Sequence, residues 1–204
     1  MKLKLRTPMY GVGVNDSDYV TQPGNGQRCP IFDKWHSMLR RCYSENSLVR
    51  NPAYTFTIVC EEWLIFSNFK AWMEQQDWYG KSLDKDLLGD GNLYSPETCI
   101  FISPRLNSFI SERISPEFPG VFLKFKDGRL NKYVAQAMLD GKKTHLGCYN
   151  NQPSAHRAWQ KAKITEVETL YSIETDTRVK TELIKIIKKI AFDIETGEIT
   201  RSLR

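Results

Sequence analysis

The chain has 204 residues, of which 41% are hydrophobic and 12% aromatic, so it can bury one core of ordinary size or two small ones. Its formal net charge of +5 favours a polyanionic partner. No apolar run approaches the roughly 18 residues of a membrane span, and the N-terminal segment lacks the apolar region of a secretion signal. The five cysteines include no C-x-x-C pair and the histidines number three, which argues against a disulfide framework and against a zinc site. We therefore expect a cytoplasmic protein with no membrane partner.

The first part of the chain predicts an arm, two helices and one strand. Residues 11–30 are rich in Gly, Asn, Asp and Pro and predict a loop or an extended arm. Apolar residues recur at helical spacing in 31–44 and in 61–76, so both segments predict amphipathic helices. Between them, 44–53 predicts a loop and the β-rich segment 55–60 predicts a strand.

The rest of the chain predicts a mixed unit and then a small sheet. Residues 83–112 predict a strand, a glycine-rich turn, a return strand and a helix. Two prolines and a glycine within 114–120 predict a linker between domains. Residues 121–149 predict three strands, joined by turns with the hairpin signals Asp127-Gly128 and Asp140-Gly141. The last predicted elements are two helices, at 152–172 and at about 176–192.

The positive charge is concentrated in one segment. Residues 1–115 hold thirteen basic and thirteen acidic side chains, and residues 164–204 hold seven and eight. Residues 116–163 hold nine basic and three acidic side chains, a net charge of +6. This segment is therefore the first candidate for contacts with phosphate groups.

An acidic turn lies in the predicted strand–turn–strand unit. Asp84, Asp86 and Asp90 fall within seven residues, and Asn107 follows at the start of the next helix. A divalent ion held by such oxygen ligands could neutralise a phosphate during phosphodiester cleavage, and a ββα unit would bring Asp84 and Asn107 together. Acidic turn residues are also common as solvated loop formers, so the spacing alone leaves both interpretations open.

Three blocks of the chain resemble a family of mostly phage-encoded HNH endonucleases. The blocks are WHSMLRRCY (35–43), IVCEEWLIFSNFKAWM (58–73) and LDKDLLGDGNLYSPETCIFIS (83–103), and the resemblance covers about residues 31–110. It implies an HNH-like ββα-metal domain with endonuclease or nickase activity that depends on Mg2+ or Mn2+.

The resemblance assigns roles to four positions. Asp84 matches the family's metal-binding aspartate, and Asn107 matches the final His or Asn that helps to bind the metal. Lys85 stands in the place of the general-base histidine, and Thr98 in the place of an asparagine that braces the loop around that base. A lysine with its ordinary pKa of about 10.4 is a poor base at neutral pH. Lys85 is therefore expected to act with a pKa depressed by burial, or as an electrostatic clamp on phosphate.

Three further residues could replace the missing base, namely His36, Tyr43 and Tyr94. His36 is more simply explained as a surface or internally satisfied histidine, and the two tyrosines as packing residues.

The basic segment predicts a small module that reads DNA with its sheet. Successive strand residues point to opposite faces, so one face of the middle strand is expected to carry Arg129, Asn131, Tyr133 and Ala135, and the other Lys132, Val134 and Gln136. A sheet can enter the major groove and combine phosphate contacts with base-edge contacts. The predicted DNA contacts are Lys124, Lys126, Arg129, Lys132, Tyr133, Gln136, Lys142, Lys143 and His145. The alternative is a generic βββα domain whose lysines only solvate its surface.

The same segment resembles the ethylene-response-factor, or Apetala-type, DNA-binding domain. The matching residues are Gly120-Val121, KYVAQA (132–137), the G-K-x-x-x-L-G-x-Y run of 141–149 and the A-x-x-A-W-x-x-A run of 155–162. In that family the sheet reads DNA and the helix backs the sheet. The domain commonly accompanies HNH cores in phage homing-type endonucleases, so the two resemblances support each other.

Together these observations predict an α+β protein in three parts. They are an HNH-like nuclease domain over 1–115, a three-stranded antiparallel sheet plus helix over 116–168, and a C-terminal helical extension over 169–204. The leading hypothesis is sequence-directed binding of double-stranded DNA with metal-dependent phosphodiester cleavage. The alternatives are a catalytically inactive, nuclease-derived DNA-binding or regulatory protein, and a protein-binding inhibitor on the same scaffold. The Ile/Leu stripe of the last helix predicts core packing or a homodimer seam.

Overall fold

The computed structural model describes residues 7–24, 26–89, 91–111 and 117–203. They form an α+β protein with a three-stranded antiparallel sheet followed by two long helices. The chain divides into two compact units, Met1–Ser103 and Pro104–Arg204. Asp90 and part of the predicted 114–120 linker lie outside the described residues, and the predicted domain boundaries stay predictions. No helix in the described ranges is both long and apolar enough to cross a membrane.

The first unit contains short elements around an aromatic core. Its helices and strands are α1 (Pro30–Tyr43), β1 (Ile58–Val59), α3 (Phe66–Met73), β2 (Ser82–Asp84), β3 (Leu93–Tyr94) and β4 (Ile100–Ile102), with a short α2 (Glu45–Arg50) after α1. β1 pairs with β3 in parallel, and β2 pairs with β4 in antiparallel fashion. The strand predicted at 55–60 is only two residues long. The prediction of a loop at 44–53 was wrong, because this segment contains α2.

The helix predicted at 61–76 was also wrong, because it is interrupted at Ile65. Glu61–Leu64 forms a 3-10 turn, and Ile65 has an extended backbone. The reason is the N-terminal arm: the Val14 N–H donates to the Leu64 carbonyl at 2.7 Å, and the Phe66 N–H donates to the Val14 carbonyl at 3.0 Å. A tertiary pairing therefore overrides the helical periodicity of this segment.

Large aromatic side chains fill the core of the first unit. Trp35, Trp63, Phe66 and Phe69 are all buried, and the Trp35 Nε1–H donates to the Trp63 carbonyl at 2.6 Å. Burial of a tryptophan is favourable when its N–H finds such a partner, so this bond fixes how α1 sits against the segment before α3.

The second unit contains α4 (Pro104–Ile110), β5 (Val121–Lys126), β6 (Arg129–Leu139), β7 (Lys142–Tyr149), α5 (Gln152–Ile173) and α6 (Thr177–Thr196). The three predicted strands are confirmed, in the order β5-β6-β7. Both hairpin turns have positive φ at their two central residues, 50° and 73° at Asp127-Gly128 and 50° and 70° at Asp140-Gly141. This backbone matches the twist of the flanking strands, which is why Asp-Gly signals the turns so well.

α5 covers one face of the sheet, and α6 packs on α5. Ala135 and Ala137 of β6 are buried on the covered face, where their small side chains let the helix approach. The apolar stripe of α6 is buried too; it consists of Val179, Leu183, Ile186 and Ile190. These four residues therefore belong to the core of their own chain, and the homodimer through the C-terminal helix stays a prediction.

Candidate nucleic-acid interface

Asp84 ends β2 and holds the turn that follows it. Its Oδ1 accepts the backbone N–H of Asp86 at 3.0 Å and that of Leu87 at 2.7 Å. The residue is 5% exposed. An aspartate that accepts N–H groups two and three residues ahead organises a turn, so this carboxylate has a structural task in its own loop.

Lys85 is turned into the same loop. The residue is 6% exposed, and its Nζ lies 2.6 Å from the Asp86 Oδ1 and donates to the Gly91 carbonyl. The ring centroids of Tyr54 and Tyr94 lie 5.1 and 5.7 Å from the same nitrogen. The ammonium is thus enclosed by a carboxylate, a carbonyl and two ring faces. This arrangement ties the two ends of the turn together, and it supports neither the base nor the phosphate clamp predicted for Lys85.

Thr98 braces the turn between β3 and β4. Its Oγ1 donates to the Leu93 carbonyl at 2.7 Å and accepts the Ser95 N–H at 3.1 Å. Its side chain also lies against Gly89, where an added Cβ would come within 3.1 Å of it. The Thr98 hydroxyl therefore holds the turn between β3 and β4, and the Thr98 methyl group packs against the glycine-rich turn at Gly89.

The three substitute bases have packing environments. The Tyr94 hydroxyl accepts from Arg41 at 3.3 Å and the Tyr43 hydroxyl accepts the Val59 N–H at 3.0 Å, and burial raises the pKa of both phenols. A raised phenol pKa disfavours the phenolate that would act as base. The His36 Nε2 lies 3.0 Å from the Tyr10 hydroxyl, and burial lowers the pKa of this imidazole.

The predicted metal ligands fall in different units. Asp84 belongs to the first unit, whereas Asn107 lies half-buried in α4 of the second. Among the residues that the structure describes, no three His, Cys, Asp or Glu side chains gather where they could hold a metal ion. Within the first unit, Asp84 is already bonded to its own turn, so the residues present do not fit a ready-made Mg2+ or Mn2+ site.

The sheet of the second unit has an open face opposite α5. Residues paired directly across neighbouring strands point to the same face, so the registers define its members. They are Lys124 with Lys132, Phe122 with Val134 and Cys148, Gln136 with His145, and Met138 with Lys143. The Lys143 Nζ lies 5.1 Å from the centroid of the Phe122 ring, which independently places these two side chains together. This set holds three lysines and no Asp or Glu.

The registers also separate the predicted DNA contacts. Five of them share the open face: Lys124, Lys132, Gln136, Lys143 and His145. Tyr133 pairs with Leu123 and Tyr149, and Lys142 pairs with Leu139, all on the side of α5. Lys126 and Arg129 pair with each other at the tip of the β5–β6 hairpin and line a surface hollow of about 460 Å³.

Behind the sheet, α5 is fixed to the segment before β5. Trp159 packs so closely on Gly120 that a Cβ there would lie 2.0 Å from the indole ring. His156 Nδ1 lies 2.9 Å from the Pro119 carbonyl, and the Thr200 N–H donates to its Nε2 at 3.1 Å. These two bonds assign the proton of the neutral ring to Nδ1, and burial lowers the pKa of this histidine. The ring thus joins α5 to chain segments on both sides of it.

An ion-pair network fixes the β6–β7 turn to α4 and α5. Arg105 reaches the Glu166 Oε1 through Nε at 3.0 Å and through a terminal nitrogen at 2.9 Å. Arg105 also lies 3.0 Å from the Asp140 carboxylate, and the Asp140 N–H donates to Glu166. Since Glu166 is buried, this network ties the β6–β7 turn to α4 and α5.

The open face also has apolar members, which the sequence pattern did not predict as contacts. Phe122, Met138 and Cys148 are exposed among the lysines, although only polar side chains were predicted to contact DNA. The alternation of the strand sequence VFLKFK could have placed Phe122 on the face of Lys124, because the two are two residues apart.

Comparison with known proteins identifies no relative: no family model, no curated protein and no solved structure matches this chain. The resemblances to HNH endonucleases and to Apetala-type domains therefore stay hypotheses that rest on the quoted motifs.

Proposed function

We propose that the protein binds double-stranded DNA through the open face of the β5–β7 sheet. The observation that carries this proposal is the open face itself, which presents Lys124, Lys132 and Lys143 and has no Asp or Glu among the paired residues that share it. Lysines on a surface attract phosphate groups independently of sequence. Gln136 and His145 lie between them and offer hydrogen bonds to base edges, which is what sequence-directed binding requires.

The dimensions of the sheet support a groove-binding mode. Neighbouring strands lie about 4.8 Å apart, so three strands span about 10 Å of backbone, whereas the major groove is about 12 Å wide. The covered face is fixed by Trp159 and by the Arg105–Glu166 pair, so the sheet keeps its shape while it binds. A preformed surface loses little entropy on association.

Two adjacent lysines provide a matched test. Lys143 lies on the open face and Lys142 on the α5 side, so Lys143→Gln should weaken binding of a mixed-sequence duplex while Lys142→Gln should not. Fluorescence anisotropy at several salt concentrations should show the slope of log K against log salt falling by about 0.9 for Lys143→Gln, the value for one lost phosphate contact. Equal effects of the two substitutions would refute the face assignment. Absence of duplex binding by the unmodified chain at low salt would refute the proposal and leave the protein-binding inhibitor as the better hypothesis.

A second candidate function is metal-dependent phosphodiester cleavage, by an endonuclease or nickase centred on residues 83–107. The observation in its favour is the antiparallel β2–β4 pair, in which β2 ends at Asp84 and β4 is followed in the chain by α4. This is the strand–strand–helix order that the HNH resemblance implies.

A plasmid assay tests this second candidate. This second candidate requires that the unmodified chain nicks supercoiled plasmid in the presence of Mg2+ or Mn2+ and that Asp84→Asn does not. The asparagine keeps an oxygen for the Asp86 and Leu87 N–H groups, so the variant removes the charge without opening the turn. Asp77→Asn, at an exposed carboxylate of the same unit, is the control. Salt-sensitive DNA binding without nicking would favour the inactive, nuclease-derived DNA-binding protein.

A further inference from the structure

One row of apolar side chains crosses all three strands on the open face. The registers pair Phe122 of β5 with Val134 of β6, and Val134 with Cys148 of β7. Directly paired residues share a face, so these three side chains lie in one line, which we call the apolar row. Phe122 is 49% exposed and Cys148 is exposed as well, whereas Val134 between them is buried. The two ends of the apolar row are therefore accessible to a ligand.

Polar rows border the apolar row on both sides. Lys124 and Lys132 form the row towards the β5–β6 turn, and Gln136 and His145 form the row on the other side. An apolar patch with a polar rim marks an interaction surface, and lysines in that rim are complementary to a polyanion. The occupant that fits the apolar row is therefore the same DNA duplex that the lysines attract.

Lys143 connects the apolar row to the phosphate groups. Its Nζ lies 5.1 Å from the centroid of the Phe122 ring, a distance at which the cation and the ring attract each other. A phosphate contact by Lys143 would bring this ring close to the sugar–phosphate backbone, at the wall of the major groove. Phe122 is thus the member of the apolar row that is best placed to meet a base edge.

We propose that the apolar row recognises the C5-methyl group of thymine in duplex DNA, and that Phe122 is the residue that determines this specificity. This inference rests on the proposed DNA binding. In the major groove, thymine presents a methyl group where the other bases present hydrogen-bond donors and acceptors, and phenylalanine is a suitable contact for it. In the adjacent row, Gln136 is of the residue type that reads adenine through N6 and N7. The open face therefore favours A·T pairs through two separate contacts.

The size of the effect follows from one buried methyl group. Burial of a methyl-sized apolar group against the ring should strengthen binding about fourfold. Thymine and uracil differ in this group alone and form the same hydrogen bonds, so a duplex with uracil in place of thymine isolates the methyl contact. The slope of log K against log salt should be the same for both duplexes, because no phosphate contact changes.

Two duplexes and two variants test the inference. The probes are an alternating d(TC)·d(GA) duplex and the same duplex with uracil at every thymine, measured by fluorescence anisotropy. The unmodified chain should bind the thymine duplex about fourfold more tightly, whereas Phe122→Ala should bind the two duplexes equally. Leu123→Ala is the matched control, because Leu123 is 53% exposed but pairs with Tyr133 on the α5 side. This variant should keep the preference of the unmodified chain.

The outcomes separate this inference from the proposed function. Equal affinity of the unmodified chain for the two duplexes overturns thymine recognition and leaves DNA binding intact. A preference that Phe122→Ala retains also overturns it, because the protein would then respond to a difference in duplex shape. Tighter binding to the d(TC) single strand than to the duplex overturns it in favour of stacking on unpaired bases. Absence of duplex binding at low salt removes the proposed function and this inference together.

Discussion

The turn segment of the first unit (residues 84–98) and the open face of the sheet contain similar side chains in opposite environments. In the turn segment, Lys85 is buried against Asp86, and Asp84 accepts two backbone N–H groups of its own loop. On the open face, Lys124 and Lys143 are exposed, with no carboxylate among the residues that share the face. A buried, paired ion stabilises its own loop, whereas an exposed one can exchange water for a phosphate.

The difference shows why a motif and an available site are separate properties. The 83–103 block resembles a catalytic core, yet its Asp84 and Lys85 side chains are buried and bonded within their own loop. The sheet has no catalytic motif, yet the lysines of its open face point away from the helix that covers the other face. Substitutions that affect stability in one region and binding in the other can break or sharpen this contrast.

The largest expected effect is the loss of Lys85. Lys85→Met keeps the apolar stem but leaves the Asp86 carboxylate and the Gly91 carbonyl without the ammonium, which should destabilise the first unit by about 3 kcal/mol. Urea unfolding followed by amide hydrogen exchange of peptides from each unit measures this. Lys143→Gln, in contrast, should leave unfolding unchanged because its side chain is exposed.

Lys81 is the matched control for this substitution. It lies 2.7 Å from Asp77, almost the same distance as Lys85 from Asp86, but the Asp77 side chain is mostly exposed. Lys81→Met should therefore cost no more than about 0.5 kcal/mol. If Lys85→Met lowers the free energy of unfolding by as little, the contacts of Lys85 with Asp86 and Gly91 do not stabilise the loop. That result would favour a chemical role for Lys85.

The next effect concerns the packing of Trp159 behind the open face. Substitutions at two glycines measure how much this packing contributes to stability. Gly120 and Gly128 share a φ of +73°, but a Cβ at Gly120 would collide with Trp159, whereas a Cβ at Gly128 meets nothing within 4 Å. Gly128→Ala should cost about 1 kcal/mol from backbone strain alone. Gly120→Ala should cost about 2 kcal/mol more, because the indole must shift. Equal costs, measured from urea midpoints, would mean that Trp159 does not fix the sheet.

The second unit could be predicted in detail because its signals are local. The Asp-Gly turns need positive φ at adjacent residues, and few other dipeptides allow it. α5 begins after Asn151, whose side chain accepts the Ser154 N–H at 2.8 Å, and Pro153 suits its first turn. Each of these features depends on residues only a few positions apart.

The remaining features depend on distant residues. The helix break at Ile65 requires Val14, about fifty positions earlier in the chain, and the enclosure of Lys85 requires Tyr54. The sorting of Tyr133 and Lys142 away from the open face depends on strand register. Periodicity within one segment does not reveal partners that are distant in the chain. The sequence therefore did not predict the enclosure of Lys85, or which of the proposed DNA contacts share one face.

The smallest expected effect is a pH dependence that distinguishes the two units through their histidines. Burial lowers the pKa of His156 below its ordinary value of 6.5, because the protonated ring would lose its hydration inside the protein, and this effect outweighs the opposing hydrogen bond to the Pro119 carbonyl. The unfolded chain takes up the proton first as the pH falls. The stability that His156 contributes is therefore complete above about pH 6.5 and is lost as the pH falls through the lower pKa of the folded state.

Burial also lowers the pKa of His36 in the first unit, but this residue is only half-buried and bonds to one hydroxyl, so its effect on stability should be weaker. Hydrogen exchange of α5 and of α1, compared between about pH 7.5 and about pH 5, should show the greater loss of protection in α5. His156→Gln should flatten the response of α5 alone, and an unchanged response in that variant would assign the pH dependence to other groups.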